Sequence, residues 1–213
     1  MISIVFEDDR VIAVCKPSGQ PTIPGRGEIG EPLNRELERS QGCKVFVVHR
    51  LDREASGLVV FAKDAKTHRE LCARFEARLV HKKYLTAVLG EVSGEGFVNS
   101  PIKEYGSGRM GVGVGGKPSS TRFRCLQHAA AGSVLEVEPV TGRRHQIRAH
   151  LYSIGHPVLG DPLYGKDRPV GGVPRLLLHS LELDFGIGAI PSLRVEPGAD
   201  FNDALSNFLR SHP

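Results

Sequence analysis

Short apolar runs separated by short connections dominate this sequence and constrain its fold more than any other feature. The runs VFVV (45–48) and GLVVFA (57–62) have the length and the β-branched content of buried strands. Comparable runs recur toward the C-terminus: KYLTAVLGEV, STRFRCL, SVLEVEPV, LLLHSLELDF and SLRVEP. Because strands dominate and most connections are short, we predict an α+β (mixed α/β) fold with a mixed, mainly antiparallel central sheet.

Four segments are predicted to be helical because their apolar residues recur on one face. The first carries Leu33 and Leu37. The second follows Asp64, a favourable N-cap, and its apolar face is predicted to extend to Leu79. The third covers residues 145–154, and an amphipathic helix closes the chain. The sequence has no internal repeat or long linker, so a single domain over residues 1–213 is predicted.

Composition indicates an ordinary globular protein, with 213 residues of which 40% are hydrophobic and 24% are charged. No apolar stretch approaches the roughly 20 residues that a membrane-spanning helix needs. The N-terminus reaches Glu7, Asp8 and Asp9 without a basic leader, which is unlike a signal peptide. A cytoplasmic location is therefore expected.

Two classes of bound group are disfavoured by spacing. The four cysteines, Cys15, Cys43, Cys72 and Cys125, form no CxxC pair, and no HExxH motif occurs, so no metal site is predicted. GSGRMG (106–111) and GVGVGGK (111–117) resemble nucleotide-binding loops, but a strand-like segment follows them where such a loop requires a helix. Pro118 also replaces the hydroxyl residue that would bind magnesium. A glycine-rich loop that contacts a substrate backbone is the preferred interpretation.

Basic residues are concentrated in patches that suit a polyanion. The segment TGRRHQIRAH contains Arg143, Arg144 and Arg148 without an acidic residue, and a second basic group runs from residue 74 to 83. Net charge is +4 and the pI is about 9.0. Such patches bind phosphates by displacing counterions, although solvated helix faces can have the same composition. With only 6% aromatic residues, a broad base-stacking surface is not expected.

The segment HRLDREASGLVVFAK (49–63) places one carboxylate, Asp52, between Arg50 and Arg53 at the entrance to an apolar run. A carboxylate among guanidinium groups stays ionised and fixed, as a nucleophile requires and a general acid does not. Ser56 lacks the GxSxG context of a hydrolase serine.

This segment resembles the catalytic motif of the RluA-type pseudouridine synthases. Further segments are similar to other motifs of that family, in the family's order from about residue 3 to residue 196: KPSGQPTIPG, KKYLTAVLGE, GKPSSTRFRCL, TGRRHQIRAHLYSIGHPVLGDPLYG and LLLHSLELDF. The resemblance implies a pseudouridine-synthase-like fold with flanking helices and a central cleft. It also implies an isomerase that converts uridine in RNA to pseudouridine without a cofactor or a metal.

Residue roles follow from the same resemblance. Asp52 is implied to be the catalytic carboxylate, Tyr84 to stack on the target uracil, and Arg148 to pair with Asp52. Arg50 is implied to fill the space that the flipped nucleotide leaves, since a uridine in folded RNA must leave the stack to be reached. Further substrate-binding residues are expected around the same motifs: His49, Leu51, Arg53, Arg143, Arg144, His145 and Gln146.

Two departures from the family pattern limit what is implied. Ala55 stands where many relatives have threonine, which removes one hydroxyl contact. No S4-type RNA-binding domain precedes the catalytic motifs, so a stem-loop of tRNA or rRNA is the expected partner and a monomer the expected state. The alternative is an RNA-binding chaperone that keeps the fold without chemistry.

Overall fold

The computed structural model describes residues 2–25, 30–106, 108–129, 131–165, 173–188 and 190–211. Parts of the predicted loop 17–32 and of the glycine-rich segment 106–117 lie outside these ranges. The chain divides into two compact units: unit 1 comprises residues 1–82 and 179–196, and unit 2 comprises residues 83–178 and 197–213. The predictions of a single domain and of a central cleft stay predictions.

The described residues form twelve strands and four helices. The strands are β1 (Ser3–Glu7), β2 (Val11–Lys16), β3 (Phe46–Val47), β4 (Ser56–Ala62), β5 (His81–Leu89), β6 (Glu95–Asn99), β7 (Ile102–Glu104), β8 (Met110–Val112), β9 (Ser120–Ala129), β10 (Gly132–Pro139), β11 (Leu178–Asp184) and β12 (Leu193–Arg194). The helices are α1 (Leu33–Gln41), α2 (Ala65–Glu76), α3 (Gln146–Ser153) and α4 (Ala199–Ser211).

The sheet of unit 1 is organised around β4. This strand pairs with β2 in antiparallel fashion along one edge. Its other edge is shared by β3, which pairs with it antiparallel, and β11, which pairs with it parallel. All seven residues of β4 are buried, which explains why its sequence is a continuous apolar run rather than an alternating one. The loop that carries Asp52 therefore joins two strands that are paired with each other.

Gly57 is required inside β4 by a close backbone approach. Its φ is +107°, and a Cβ atom at this position would lie 2.3 Å from the carbonyl oxygen of Ser180 on β11. Only a residue without a side chain allows the two strands to meet here. Gly57 thus serves the strand pairing itself rather than the tight turn that its sequence context suggests.

Unit 2 contains an antiparallel sheet in the order β5–β10–β9–β6 and a separate two-stranded hairpin, β7–β8. Helix α4 packs its apolar side, including Phe201 and Phe208, against Ala87 of β5 and Leu177. A second small core joins Ile102, Ala149 and Tyr164, and thereby places α3 beside the hairpin.

The predicted fold class is confirmed: the fold is α+β, with strands that pair mainly antiparallel and flanking helices. Helix α2 begins as predicted, since Asp64 Oδ1 accepts the amide hydrogens of Lys66 and Thr67 at 2.8 and 2.9 Å. Its extension to Leu79 was wrong. The helix ends at Glu76, Arg78 adopts a φ of +59°, and Leu79 is 50% exposed.

Candidate functional site

Asp52 lies in the loop between β3 and β4 and is half-buried. Its carbonyl oxygen accepts the amide hydrogen of Ala55 at 3.2 Å, which closes a turn around residues 52–55. The neighbouring residues differ in environment, because Leu51 is buried and Arg50 is exposed. The buried Leu51 therefore anchors the loop, and Arg50 faces solvent.

A buried lysine, Lys16, holds this loop from the end of β2. Its side chain is inaccessible to solvent, and its Nζ donates to the carbonyl oxygens of Pro17, Gln20 and Arg53 at 2.8, 2.7 and 3.0 Å. An ammonium group has three hydrogens, so these three acceptors can use all of them. A charge that would be costly to bury is thereby stabilised by backbone dipoles.

Further hydrogen bonds join the segment 18–22 to the Asp52 loop. The backbone amide of Gly19 donates to the carbonyl oxygen of Arg53, and Arg53 Nε donates to that of Gly19, each at 2.9 Å. Ser18 Oγ donates to the carbonyl oxygen of Glu54 at 2.6 Å, and Thr22 Oγ1 bonds both backbone groups of Leu51. The segment and the loop form one rigid piece, named here the Lys16 clasp (residues 16–22 with 50–54).

Lys16 was not among the predicted site residues. A lysine directly after an apolar strand and before Pro-Ser-Gly was the available signal, because a cation at the edge of a core needs acceptors nearby. Arg53 was predicted to contact substrate. In the structure its Nε donates a hydrogen bond to the carbonyl oxygen of Gly19.

His49 is held as a neutral ring. Its Nε2 accepts the amide hydrogen of Val60 at 3.1 Å, and its ring stacks on Phe75 with centroids 5.0 Å apart. Burial, assisted by the charge of Lys82, lowers the pKa of His49 to about 3. Burial likewise lowers the pKa of Lys82 to about 8. At neutral pH His49 therefore acts as an uncharged acceptor that ties the start of the Asp52 loop to Val60 of β4, the strand that follows the loop.

Ser56 and His179 form a buried pair in unit 1. His179 Nδ1 lies 2.9 Å from Ser56 Oγ, and its Nε2 lies 2.9 Å from the carbonyl oxygen of Val195. A carbonyl can only accept, so Nε2 carries the proton and Ser56 donates to Nδ1. Ser56 is 5% exposed, so an external substrate has little access to its hydroxyl. This arrangement braces β4 against β11 rather than activating a nucleophile.

In unit 2, Arg148 is buried on α3 and forms a two-pronged ion pair with Asp161. Its Nε lies 2.7 Å from Asp161 Oδ2, and its Nη2 lies 2.8 Å from Asp161 Oδ1. Asp161 Oδ1 also accepts the amide hydrogens of Leu163 and Tyr164 at 2.9 and 3.0 Å. Asp161 was missed as a functional candidate, although it belongs to the segment GHPVLGDPLYG that carried part of the family resemblance.

The segment before α3 holds the remaining predicted contacts. Gln146 is buried with all four hydrogen-bonding positions used, by Thr141, Arg143, Ser120 and Thr121. It is placed to shape this turn. Arg144 is exposed and bonds Glu104 at 3.4 Å and the carbonyl oxygen of Gly108.

Two neighbours of Gln146 have less usual environments. Arg143 Nε is buried without a hydrogen-bond partner. His145 adopts a φ of +52°, and its Nδ1 lies 3.2 Å from the hydroxyl of Tyr164. A left-handed backbone is unusual for a residue other than glycine, so the surrounding contacts must stabilise it.

Tyr84 is half-buried on β5, opposite Val137 of β10. The structure thus brings Arg148, His145, Gln146, Arg143 and Arg144 together around the start of α3, and His49, Arg50, Leu51, Asp52 and Arg53 around the Lys16 clasp. Their assignment to one catalytic site stays a prediction.

No group of three or more histidine, cysteine or acidic side chains among the described residues could hold a metal ion. No helix in the described ranges is long and apolar enough to cross a membrane.

Residues 10–153 match the RNA pseudouridylate synthase family, and the chain belongs to it. The match covers the Asp52 loop, Tyr84 and α3. This match confirms the predicted family.

Two curated relatives confirm the prediction that the chain is of the RluA type within this family. Ribosomal large subunit pseudouridine synthase D of Nitrosomonas europaea is 38% identical over 197 residues, which cover 86% of this chain and 57% of that protein. Dual-specificity RNA pseudouridine synthase RluA of Vibrio vulnificus is 39% identical over 192 residues, covering 85% and 76%. The chain thus spans little more than half of the first relative and about three quarters of the second.

A solved structure supports the same fold. Human RNA pseudouridylate synthase domain containing 4 superimposes with a TM-score of 0.80 at 25% identity, over 98% of this chain and 93% of that one. The likeness extends over nearly the whole chain.

Proposed function

We propose that this protein converts specific uridines in RNA to pseudouridine, with Asp52 as the catalytic carboxylate. The observation that carries the proposal is the Lys16 clasp, which fixes a half-buried aspartate in a loop that belongs to a pseudouridylate synthase sequence. Catalysis by a carboxylate requires such fixed geometry, because a misplacement of about 1 Å can cost two orders of magnitude in rate.

The reaction breaks the N1–C1′ bond of uridine, turns the uracil, and joins C5 to C1′. The hydrogen on C5 leaves as a proton and N1 gains one, so the reaction is an isomerisation. Asp52 acts either by attack on C1′ or by removal of the C2′ proton to give a glycal. Both routes use an ionised carboxylate and consume no cofactor.

Three further residues are assigned roles in this proposal. Arg50 is exposed beside Asp52, as a residue that fills the space left by an extruded nucleotide must be. Tyr84 stacks on the target uracil, a contact that contributes roughly 1–3 kcal/mol. Arg148 is assigned the pairing with the catalytic carboxylate, and its guanidinium is held by Asp161.

The substrate is proposed to be a stem-loop of tRNA or rRNA, bound in the cytoplasm by a monomer. Arg143, Arg144 and His145 lie together at the start of α3 and supply the charge for phosphate contacts, which position an RNA without reading its sequence. The names of the two relatives, one a ribosomal large subunit enzyme and one dual-specific, are compatible with either RNA.

Tritium release from RNA labelled at uracil C5 tests the proposal. Wild-type protein should release tritium from total RNA in the presence of EDTA and without added cofactor. Asp52→Asn should reduce release to background while RNA affinity stays within several-fold, because the change removes an anion but keeps the shape.

Asp203→Asn, the same substitution at an exposed position of α4, is the matched control and should leave release unchanged. RNA binding by the wild type without any release would support the chaperone alternative instead. Substantial release by Asp52→Asn would move the catalytic role to another residue.

A further inference from the structure

Tyr164 connects the β7–β8 hairpin to the rest of unit 2 through its hydroxyl group. The hydroxyl donates to the carbonyl oxygen of Met110 at 2.9 Å and accepts the amide hydrogen of the same residue at 3.1 Å. His145 Nδ1 lies 3.2 Å from it. A phenol has one hydrogen and two lone pairs, so these three contacts can use its full capacity if Nδ1 carries the imidazole proton. The outer edge of β8 is thereby fixed to a side chain that is 1% exposed.

The ring of the same tyrosine contacts two guanidinium groups. Arg109 of the hairpin lies 5.0 Å from the ring centroid, and Arg148 of α3 lies 5.2 Å from it. The backbone amide of Tyr164 also donates to Asp161, the ion-pair partner of Arg148. One residue therefore touches the hairpin with its hydroxyl and supports Arg148 with its ring.

Independent contacts show that the hairpin is docked here by more than one group. Arg109 also lies 4.8 Å from the ring centroid of Tyr152, and its Nη2 is buried without a hydrogen-bond acceptor. A guanidinium over an aromatic face is attracted by the electron density of the ring. Arg144 contacts the hairpin turn at Gly108 and Glu104.

The hairpin region has the charge of an RNA contact. It carries Lys103, and Lys117 follows, against the single acidic residue Glu104 in the segment 102–117. The other basic residue of the segment, Arg109, lies over the two tyrosine rings. Arg144 adds a further positive charge beside the turn. Such a cluster holds a phosphate backbone in place, and its contribution depends on the hairpin being fixed relative to α3.

We propose that Tyr164 is a positioning residue of the synthase reaction with two separable parts. Its hydroxyl fixes the β7–β8 hairpin for RNA binding, and its ring fixes the guanidinium of Arg148 for the chemical step. This inference rests on the proposed function.

Two substitutions separate these parts. Tyr164→Phe keeps the ring and removes the hydroxyl, so KM for RNA should rise about three- to tenfold, as expected for the loss of one or two neutral hydrogen bonds, with kcat within about twofold. Tyr164→Leu removes the ring as well, so kcat should also fall, by about tenfold or more. Tyr105→Phe is the matched control, because it removes a hydroxyl that donates to Val112 of the same hairpin at 3.0 Å and has no shown contact with Arg148. Both of its kinetic constants should stay within about twofold.

A double-mutant cycle and hydrogen exchange test whether loss of hairpin docking causes the change in KM. Arg109→Met and Tyr164→Phe both act through hairpin docking, so their combined effect on KM should be smaller than the product of the single effects. The amide of Met110 should exchange faster in Tyr164→Phe than in the wild type, and unchanged exchange would overturn the docking role.

Kinetic outcomes that overturn the proposal are equally definite. Wild-type KM in Tyr164→Phe would do so, as would a fall in kcat at constant KM, which indicates only a smaller folded fraction. If Tyr164→Leu does not fold, Tyr164→Met, which also lacks an aromatic face, takes its place, and a wild-type kcat in the folded variant overturns the role of the ring. Absence of tritium release by the wild type would refute the proposed function instead, and accelerated Met110 exchange in Tyr164→Phe would then still establish the docking contact.

Discussion

Arg148 and Asp161 form a buried, bidentate ion pair, in which Nε and Nη2 of the guanidinium each donate to one carboxylate oxygen. Their side chains are 2% and 0% exposed. A pair this deep is costly to break, because removing one partner leaves a buried charge without compensation. The residue assigned to orient the catalytic carboxylate is thus itself oriented by a second carboxylate.

Asp161→Asn should lower the free energy of unfolding by about 3 kcal/mol, since the neutral amide removes the carboxylate that forms the two-pronged ion pair with the buried Arg148 charge. Urea denaturation measures this. Glu104→Gln removes the exposed partner of Arg144 and should change stability by less than about 1 kcal/mol. If Asp161→Asn also lowered the free energy of unfolding by less than about 1 kcal/mol, the buried pair would contribute little to stability.

Combining Arg148→Met with Asp161→Asn separates stability from catalysis. Arg148→Met alone leaves Asp161 as a buried anion without its guanidinium, whereas the double variant carries no charge at either position and keeps an oxygen for the amides of Leu163 and Tyr164. The double variant should recover at least half of the stability that Arg148→Met loses, while tritium release stays at background. Wild-type release by the double variant would remove Arg148 from the mechanism and make Arg144 or Arg143 the next candidate.

Arg148→Lys should retain partial activity. Lysine keeps the charge but cannot bond two carboxylate oxygens side-on as guanidinium does. Single-turnover tritium release, corrected for the folded fraction, measures the effect. Activity equal to that of the wild type would show that charge alone suffices.

His49 should make stability dependent on pH. Its pKa is about 3 in the folded protein and near 6.5 in an unfolded chain, so between these values the unfolded state binds more protons and stability falls as pH falls. From pH 6.5 to 4.5 the wild type should lose about 2–3 kcal/mol more than His49→Gln, which cannot titrate. His81→Gln replaces an exposed histidine and should show the wild-type slope. Equal slopes in all three proteins would contradict a neutral, buried His49.

Gly57→Ala should be far more damaging than Gly19→Ala, although both glycines have positive φ. A Cβ at Gly57 meets the Ser180 carbonyl, whereas nothing lies within 4 Å of one at Gly19. Gly19→Ala should cost about 1–2 kcal/mol from backbone strain alone, and Gly57→Ala should exceed 3 kcal/mol or prevent folding. Thermal unfolding compares them, and similar losses would show that β4 and β11 can move apart at Gly57.

Sequence patterns predicted those strands and helices in which burial follows one regular pattern along the whole element. β4 and α2 were found because a buried strand and a capped amphipathic helix have characteristic spacing. β6, β7 and β8 were not predicted, since glycine at positions 96, 106, 108 and 111 weakens the strand pattern and local pairing decides the structure there. The end of α2 was misplaced because Leu79 fits helical spacing but lies beyond a left-handed Arg78.

Side-chain partners were harder to predict than elements. The pairing of Arg148 with Asp52 stays a prediction, and the Asp161 partner of Arg148, thirteen positions along the chain, was not predicted. Likewise, the three carbonyls around Lys16 come from two separate segments and have no side-chain signature. Such contacts depend on where the backbone turns, which spacing alone does not determine.

The three carbonyls around Lys16 enclose its ammonium as a crown ether encloses a cation. Ions in solution cannot reach it, so added salt has no means of loosening the loop that presents Asp52. The grip on RNA, in contrast, weakens as salt displaces lysine and arginine from phosphates. An enzyme built in this way should keep its kcat in high salt while its KM rises, so that ionic strength decides how often it reacts and not how fast each bound uridine is turned over.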